Sequence, residues 1–229
     1  MSVVPASLRQ RVRSTIERPV AGFFGRLGFS PNALTLIGFA IAIVGAYFAA
    51  TQAWLIAGLI VAFGAIFDLF DGALARATGK ASKFGAFLDS TLDRAGEGVV
   101  YIGIVIGAVL GGAHTWLAPL AITAAAAGYM VSYSRARSES LGFSPGTGMA
   151  NIGLAPREVR MAILVVGLLA AGLLATSVIG DCPAGVPCPQ MWEFALISAL
   201  ALITLLSTVT TVQRILFTYR QSKTQEVSK

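Results

Sequence analysis

The chain has few charged residues for its size. Of its 229 residues, 12% are charged, whereas a soluble domain averages about 25%. Hydrophobic residues make up 55%, and apolar runs of membrane-spanning length follow one another with few breaks. This pattern excludes a soluble protein built around one large core, and it indicates an integral membrane protein. The sequence shows no linker, low-complexity tract or internal repeat.

Histidine and cysteine are almost missing. His114 is the only histidine and lies in a predicted outer loop, which argues against acid–base chemistry built on histidine. Cys182 and Cys188 are the only cysteines, and both fall in one segment predicted to lie outside. Two thiols without a neighbouring histidine make a poor zinc site. Whether they form a disulfide depends on how oxidising their compartment is.

Six apolar runs have the length of a transmembrane helix, about 20 residues. They predict an all-α integral membrane protein with a single domain over residues 1–229. Residues 6–28 precede them and combine helically spaced apolar side chains with five arginines, so we expect an amphipathic helix on the membrane surface. The six predicted spans cover residues 33–51, 53–77, 84–110, 116–141, 159–179 and 192–217.

The net charge of +6 is unevenly placed along the chain. All 17 lysines and arginines lie before the first span, at or after the end of the last, or around the second and fourth connections between spans. The positive-inside rule therefore places both termini in the cytoplasm of the cell. No basic stripe lies away from the membrane edges, so we expect no binding of nucleic acid.

Acidic residues inside two of the predicted spans suggest a functional site, since such residues are costly in a membrane. Asp68 and Asp71 lie three residues apart in the second span, and Asp89 and Asp93 lie four apart in the third. Each pair shares one face of its helix. Because a short cytoplasmic turn joins the two helices, the acidic faces are expected to meet near the cytoplasmic edge.

Four carboxylates in a poorly solvated site cannot all stay ionised without a counter-charge. Their oxygen ligands suit Mg²⁺ or Mn²⁺, and two such ions would form a clamp for phosphoryl chemistry. On spacing alone, a proton or cation pathway and ion pairs with Arg76 and Arg94 remain open. Glu97, one turn beyond Asp93, would either tune the cluster or pair with an arginine.

The four aspartates of the two pairs belong to a longer pattern with eight fixed positions. It reads Asp68-x-x-Asp71-Gly72-x-x-Ala75-Arg76-x(8)-Gly85-x(3)-Asp89-x(3)-Asp93. The pattern resembles the complete signature of the CDP-alcohol phosphotransferases. That resemblance implies a six-helix membrane enzyme, usually a homodimer, that displaces CMP from a CDP-linked lipid or alcohol.

The resemblance also implies roles for individual residues. Asp68, Asp71 and Asp89 would hold two divalent metal ions, and Asp93 would act as the general base and touch a metal. Residues at the small and basic signature positions, and at the start of the first span, would bind the nucleotide: Gly72, Ala75, Arg76, Gly85, Asn32 and Thr35. A helix cap explains Asn32 and Thr35 equally well.

Four arginines flank the connection between the fourth and fifth spans: Arg135, Arg137, Arg157 and Arg160. Arginine forks suit a phosphate, whereas a free alcohol such as serine or inositol would not need such a cluster. These segments resemble those of bacterial phosphatidylinositol phosphate synthases, which implies CDP-diacylglycerol as donor and inositol phosphate as acceptor. Glycerol 3-phosphate remains an alternative acceptor, and positive-inside charge an alternative explanation of the arginines.

Two other classes of membrane protein also carry acidic residues in their helices. A cation-coupled or proton-coupled transporter would more often place them near the bilayer midplane, on broken helices in paired repeats. A membrane prenyltransferase also uses Mg²⁺ and aspartate-rich helices, but with a different spacing and generally more spans. The sequence therefore favours the phosphotransferase.

Overall fold

A computed structural model describes residues 24, 28–113, 116–143, 149, 152–175 and 190–227, with the side chains of residues 69, 71 and 225–227 excepted. Within these residues the chain is helical, which confirms the all-α prediction. Its helices are α1 (Pro31–Ala50), α2 (Trp54–Thr78), α3 (Lys83–Leu110), α4 (Leu117–Ser140), α5 (Arg157–Leu173) and α6 (Met191–Val227).

Several predicted features lie outside the described residues. They are His114, the two cysteines, residues 176–179 of the fifth predicted span, and all of the expected surface helix except Phe24 and Gly28. The ring of Phe24 packs edge-on against Phe67 of α2, with 5.7 Å between the ring centres. This contact ties the start of the described chain to the second helix.

Four of the six described helices are long and apolar enough to cross a membrane: α1, α2, α4 and α6. The other two differ for separate reasons, since α5 has 17 described residues and α3 carries five charged residues between Lys83 and Glu97. Large apolar side chains such as Tyr47, Val109 and Leu173 are exposed on the outer surface. An apolar outer surface is expected of helices that face lipid.

The connection between α2 and α3 is a tight turn of residues 79–82, as the sequence predicts. Helix α2 ends at Gly79, whose φ of 65° is a left-handed conformation that glycine adopts without steric cost. Helix α3 begins after Ser82, whose hydroxyl accepts a 2.9 Å hydrogen bond from the Gly85 amide. The turn keeps the acidic end of α2 and the acidic start of α3 at the same end of the bundle, although α2 and α3 are not one of the main contacting pairs of helices.

Helix α6 continues ten residues beyond the predicted end of the last span at residue 217. The polar stretch that follows contains neither glycine nor proline, so nothing in it stops a helix. The Lys223 ammonium lies 4.8 Å from the centre of the Tyr219 ring one turn earlier. The apolar run therefore marks the membrane segment, while the helix extends past it.

The main contacts between the described helices form a ring in the order α1, α2, α5, α6, α4, α3 and back to α1. Between α1 and α3 the backbones touch. A Cβ added at Gly103 would lie 2.3 Å from the carbonyl oxygen of Ala46, and one at Gly107 would lie 2.3 Å from that of Ala49. Only small residues allow helices to approach so closely, so these glycines determine how near α3 lies to α1.

We expect Gly103→Ala to destabilise the protein by about 1–3 kcal/mol, because the new methyl group meets rigid backbone and forces α1 and α3 apart. Gly64→Ala is the matched control. Its nearest neighbour is a methyl group of Ile41, 3.2 Å away and able to shift, and alanine also gains helix propensity. Thermal unfolding of both variants in detergent measures the difference. Equal midpoints would contradict the backbone contact between α1 and α3.

Candidate active site

The α2–α3 turn brings three of the predicted acidic residues to one place. Asp68 of α2 and Asp93 of α3 bind the same guanidinium group, that of Arg157 at the start of α5. Asp89 lies close enough to interact electrostatically with Asp68 and with Arg157. The backbone of Asp71 lies in α2, but its side chain is outside the described part of the structure.

Arg157 bridges two helices with the two arms of its fork. Its Nη2 donates to Oδ2 of Asp68 at 2.8 Å, and its Nη1 lies 2.9 Å from Oδ1 of Asp93. The side chain is 24% exposed, while its Nε is buried and has no hydrogen-bond partner among the described residues. The positive charge that pairs with Asp68 and Asp93 therefore comes from a residue of the chain itself, Arg157.

A second ion pair lies one helical turn deeper. Arg160 binds Glu97 through both arms, with Nε to Oε1 at 2.9 Å and Nη2 to Oε2 at 2.7 Å, and its Nη1 donates to the carbonyl of Ala155 at 3.1 Å. The side chains are 1% and 4% exposed. Gly128 of α4 makes room for the pair, since a Cβ there would lie 3.0 Å from Arg160 Nε.

The two ion pairs form parallel links between α3 and α5. Asp93 and Glu97 are four residues apart on α3, and Arg157 and Arg160 are three apart on α5, so each set shares one helix face. Asp68, Asp93 and Glu97 therefore pair with arginines of α5, while the guanidinium of Arg94 donates to the backbone carbonyl of Ser90 on its own helix. Glu97, left undecided by the sequence, pairs with an arginine.

A pocket opens beside the ion pairs of Arg157, the shallower of the two links between α3 and α5. It lies between α1, α2, α3 and α5, and its empty volume, including space open to solvent, is about 440 Å³. Asp68, Asp93 and Arg157 line it, together with Thr35 and Gly38 of α1. A Cβ at Gly38 would lie 2.7 Å from Oδ1 of Asp68, so a glycine is what lets α1 pass beside this carboxylate.

The residues predicted to bind a nucleotide lie at the neighbouring ends of α1, α2 and α3. The side-chain oxygen of Asn32 would lie 3.2 Å from a Cβ at Gly85, which places the starts of α1 and α3 side by side. The Arg76 guanidinium lies over Gly72, 3.2 Å from where its Cβ would be. The Thr35 hydroxyl donates to the Pro31 carbonyl at 3.2 Å, the bond to the preceding turn that threonines in helices commonly make.

The family model for CDP-alcohol phosphatidyltransferases matches residues 29–219, most of the chain and all of the site. The chain belongs to this family. Its similar proteins include archaetidylinositol phosphate synthase of Pyrococcus horikoshii, 41% identical over 72% of this chain and 81% of that protein. Phosphatidylinositol phosphate synthase of Streptomyces avermitilis is 37% identical over 91% of this chain and 84% of that protein.

Solved structures of a phosphatidylinositol phosphate synthase from Mycobacterium tuberculosis have the same fold. The structure with CDP-DAG bound gives a TM-score of 0.73 at 27% identity, over 89% of this chain and 94% of that one. The complex with manganese and citrate gives 0.72 at 26% identity, over 89% of each chain. Membership confirms that the protein is a CDP-alcohol phosphatidyltransferase, and the transporter and prenyltransferase hypotheses are set aside.

The four arginines predicted to bind an acceptor phosphate are placed differently in this phosphatidyltransferase. Arg157 lines the pocket, whereas Arg160 is buried against Glu97. Arg135 lies 3.0 Å from Glu139 in a partly exposed pair along α4, and Arg137 is exposed on the last turn of that helix. Of the four, Arg157 alone both reaches the carboxylates and faces open space in the described structure.

Arg214 of α6 is a buried residue. From the sequence it is one of the basic residues at the end of the last span, where positive charge indicates membrane orientation and not a structural role. It is 4% exposed, its Nε donates to the Ile152 carbonyl at 3.1 Å, and its Nη1 donates to the Val131 carbonyl. It therefore ties α6 to α4 and to the chain before α5. The available signal was its position within an apolar run, where a charge is costly.

The described carboxylates offer the oxygen donors that a divalent metal takes. No group of three or more metal-ligating side chains is assembled among the side chains that the structure describes, which exclude Asp71. Asp68 and Asp93 line the pocket together with Arg157, and Asp89 lies near enough to interact electrostatically with Asp68. Such a set fits a hard ion such as Mg²⁺ or Mn²⁺.

We expect Glu97→Gln to destabilise the enzyme by about 3–5 kcal/mol, because it leaves Arg160 buried without a counter-charge. Glu139→Gln is the matched control, since the pair between Glu139 and Arg135 is 31% and 43% exposed and such pairs contribute at most about 1 kcal/mol. Thermal unfolding in detergent measures both. Similar losses in the two variants would contradict a structural role for the deeper ion pair.

Proposed function

We propose that the enzyme transfers the phosphatidyl group of CDP-diacylglycerol to a hydroxyl of inositol phosphate and releases CMP. The observation that carries the proposal is the pocket in which Asp68, Asp93 and the guanidinium fork of Arg157 lie together. The printed names of the two similar proteins, archaetidylinositol phosphate synthase and phosphatidylinositol phosphate synthase, support an inositol phosphate acceptor. The CDP-DAG bound to the structural neighbour supports the donor.

In this proposal Asp93 is the general base. It takes the proton from the acceptor hydroxyl, and the oxygen attacks the lipid-side phosphorus of the donor. A new phosphorus–oxygen bond forms, the bond to the CMP phosphate breaks, and CMP leaves with the electron pair. Asp93 suits the task because its side chain is 18% exposed and lines the pocket.

Two divalent ions, Mg²⁺ or Mn²⁺, would neutralise the donor's diphosphate and the charge on departing CMP. Asp68, Asp71 and Asp89 would hold them, with Asp93 as a further ligand. The manganese in a structural neighbour supports this part of the proposal. The chain's own residues would then position the substrates.

The nucleotide would lie where the ends of α1, α2 and α3 meet. Gly72, Ala75 and Gly85 lack bulk and would let the cytidine approach the helices, and Arg76 would lie near the diphosphate. The contact of Asn32 with the Gly85 position supports a shared surface there. The phosphate of the acceptor would be bound by arginines, with Arg157 the nearest to Asp93 and with Arg135 and Arg137 near the end of α4.

We further propose that the site faces the cytoplasm and that the enzyme acts as a homodimer. The positive-inside rule supports the orientation, and the family resemblance supports the dimer. Acyl chains would remain in lipid while the polar acceptor arrives from water. Glycerol 3-phosphate remains the alternative acceptor, because it too carries both a hydroxyl and a phosphate.

The test of acceptor identity is CMP release by the purified protein with CDP-diacylglycerol and Mg²⁺. We expect release with inositol phosphate and none above background with free inositol or serine, because neither offers a phosphate to the arginines. Release with glycerol 3-phosphate alone would keep the enzyme class and overturn the proposed acceptor. An archaeal-type ether donor, assayed in parallel, shows whether the donor's chains matter.

The test of the general base is Asp93→Asn, which keeps the shape of the side chain but cannot take a proton. We expect turnover to fall at least about 100-fold, while metal-dependent binding of the CDP-lipid is retained. Asp181→Asn is the matched control, since Asp181 lies in a segment predicted to be on the other side of the membrane. Normal turnover in Asp93→Asn would exclude the general-base role.

A further inference from the structure

Arg157 places a permanent positive charge where the proposed function requires divalent cations. A guanidinium stays protonated at any pH that proteins tolerate. Its two arms engage Asp68 and Asp93, carboxylates of two different helices, at 2.8 and 2.9 Å. The chain therefore carries an internal cation at the centre of its own acidic pocket.

This internal cation and a divalent ion compete for the same oxygens. Oδ2 of Asp68 and Oδ1 of Asp93 each face the guanidinium, so a carboxylate that turns to a metal weakens its contact with Arg157. Like charges also repel strongly where solvent is partly excluded. Occupancy by a divalent cation and the bridging position of Arg157 thus oppose one another.

The neighbouring ion pair makes this exchange a local event. Arg160, one turn further along α5, is held by Glu97 and by the Ala155 carbonyl and is 1% exposed. The start of α5 is therefore anchored whether or not Arg157 keeps its contacts. Arg157 itself is 24% exposed, and its Nε has no hydrogen-bond partner within the described part of the chain, so its side chain can leave the carboxylates while the helix stays in place.

We propose that Arg157 is an exchangeable counter-ion. It neutralises Asp68 and Asp93 before a divalent cation binds, and once displaced it offers its fork to the phosphate of a substrate. The inference rests on the proposed function for the identity of the cation and of the phosphate. It predicts an order of assembly, because the guanidinium is available to a phosphate only after the carboxylates have received another positive charge.

Coupling of this kind must be reciprocal. If bound Mn²⁺ raises the affinity for phosphate by releasing Arg157, then bound phosphate must raise the affinity for Mn²⁺ by the same factor. Removal of the guanidinium has two opposite consequences: the cation loses its competitor, and the phosphate loses its partner. A residue that served only to bind phosphate, or only to support the fold, would not produce both effects.

The experiment measures Mn²⁺ binding to purified protein by electron paramagnetic resonance, without lipid donor or acceptor. Arg157→Gln is expected to bind Mn²⁺ about tenfold more tightly than the unaltered protein, within the usual range of coupling between sites. Arg220→Gln is the matched control, because it removes one exposed arginine from the end of α6 and should leave the affinity unchanged. Asp89→Asn shows which part of the binding belongs to the carboxylates.

The second measurement repeats the titration with inorganic phosphate as the probe. In the unaltered protein phosphate is expected to tighten Mn²⁺ binding, and in Arg157→Gln this effect is expected to disappear. Should Arg157→Gln not fold, Arg157→Lys serves instead, since it keeps the charge but loses the fork that spans both carboxylates. Its Mn²⁺ affinity is then expected to exceed that of the unaltered protein by a smaller factor.

Two failures can be told apart. Unchanged or weaker Mn²⁺ binding in the Arg157 variants, with normal Asp89-dependent binding in the unaltered protein, overturns the exchange and leaves the proposed function intact. Absence of any Mn²⁺ binding that Asp89→Asn removes overturns the exchange together with the metal-assisted part of the proposed function. Tighter binding with loss of the phosphate effect supports the exchange.

Discussion

Neutralisation of carboxylates inside the helix bundle is the constraint on which the active site depends. Asp68, Asp93 and Glu97 lie on two helices of an apolar bundle, where an unpaired charge would be costly. Two arginines of α5, Arg157 and Arg160, supply the positive charges that pair with these carboxylates. They also link α5 to α3 across a ring in which these helices are not main neighbours, so the same contacts that balance the charge hold the pocket together.

The two arginines differ in what surrounds them. Arg160 is enclosed by Glu97, the Ala155 carbonyl and the space left at Gly128, which makes a rigid anchor. Arg157, three residues earlier, faces an open pocket, and its buried Nε has no hydrogen-bond partner among the residues that the structure describes. Two arginines on one face of α5 therefore have different surroundings, one enclosed by the bundle and one at the pocket.

Small residues give this charged centre its geometry. Gly103 and Gly107 bring the backbone of α3 against that of α1, and Gly38 lets α1 pass beside Asp68. The glycine-ended turn between α2 and α3 keeps the two acidic stretches at one end of the bundle, where Arg157 bridges Asp68 and Asp93. Most of these glycines lie at contacts between elements distant in sequence, where a side chain would displace a helix or a carboxylate.

The sequence alone determined the family, the helical class and the convergence of the acidic residues at one end of the bundle, because these follow from local spacing: residues three or four apart share a helix face, and a four-residue turn keeps the two helix ends that it joins close together. Only the tertiary structure decided which arginines the acids bind, and it separated Arg157 from Arg160 although both lie on one face of α5. It also showed Arg214 to be buried and α6 to run to Val227. Such outcomes depend on how deeply each turn of α5 enters the ring and on which helices enclose it, and spacing within one segment carries no information about either.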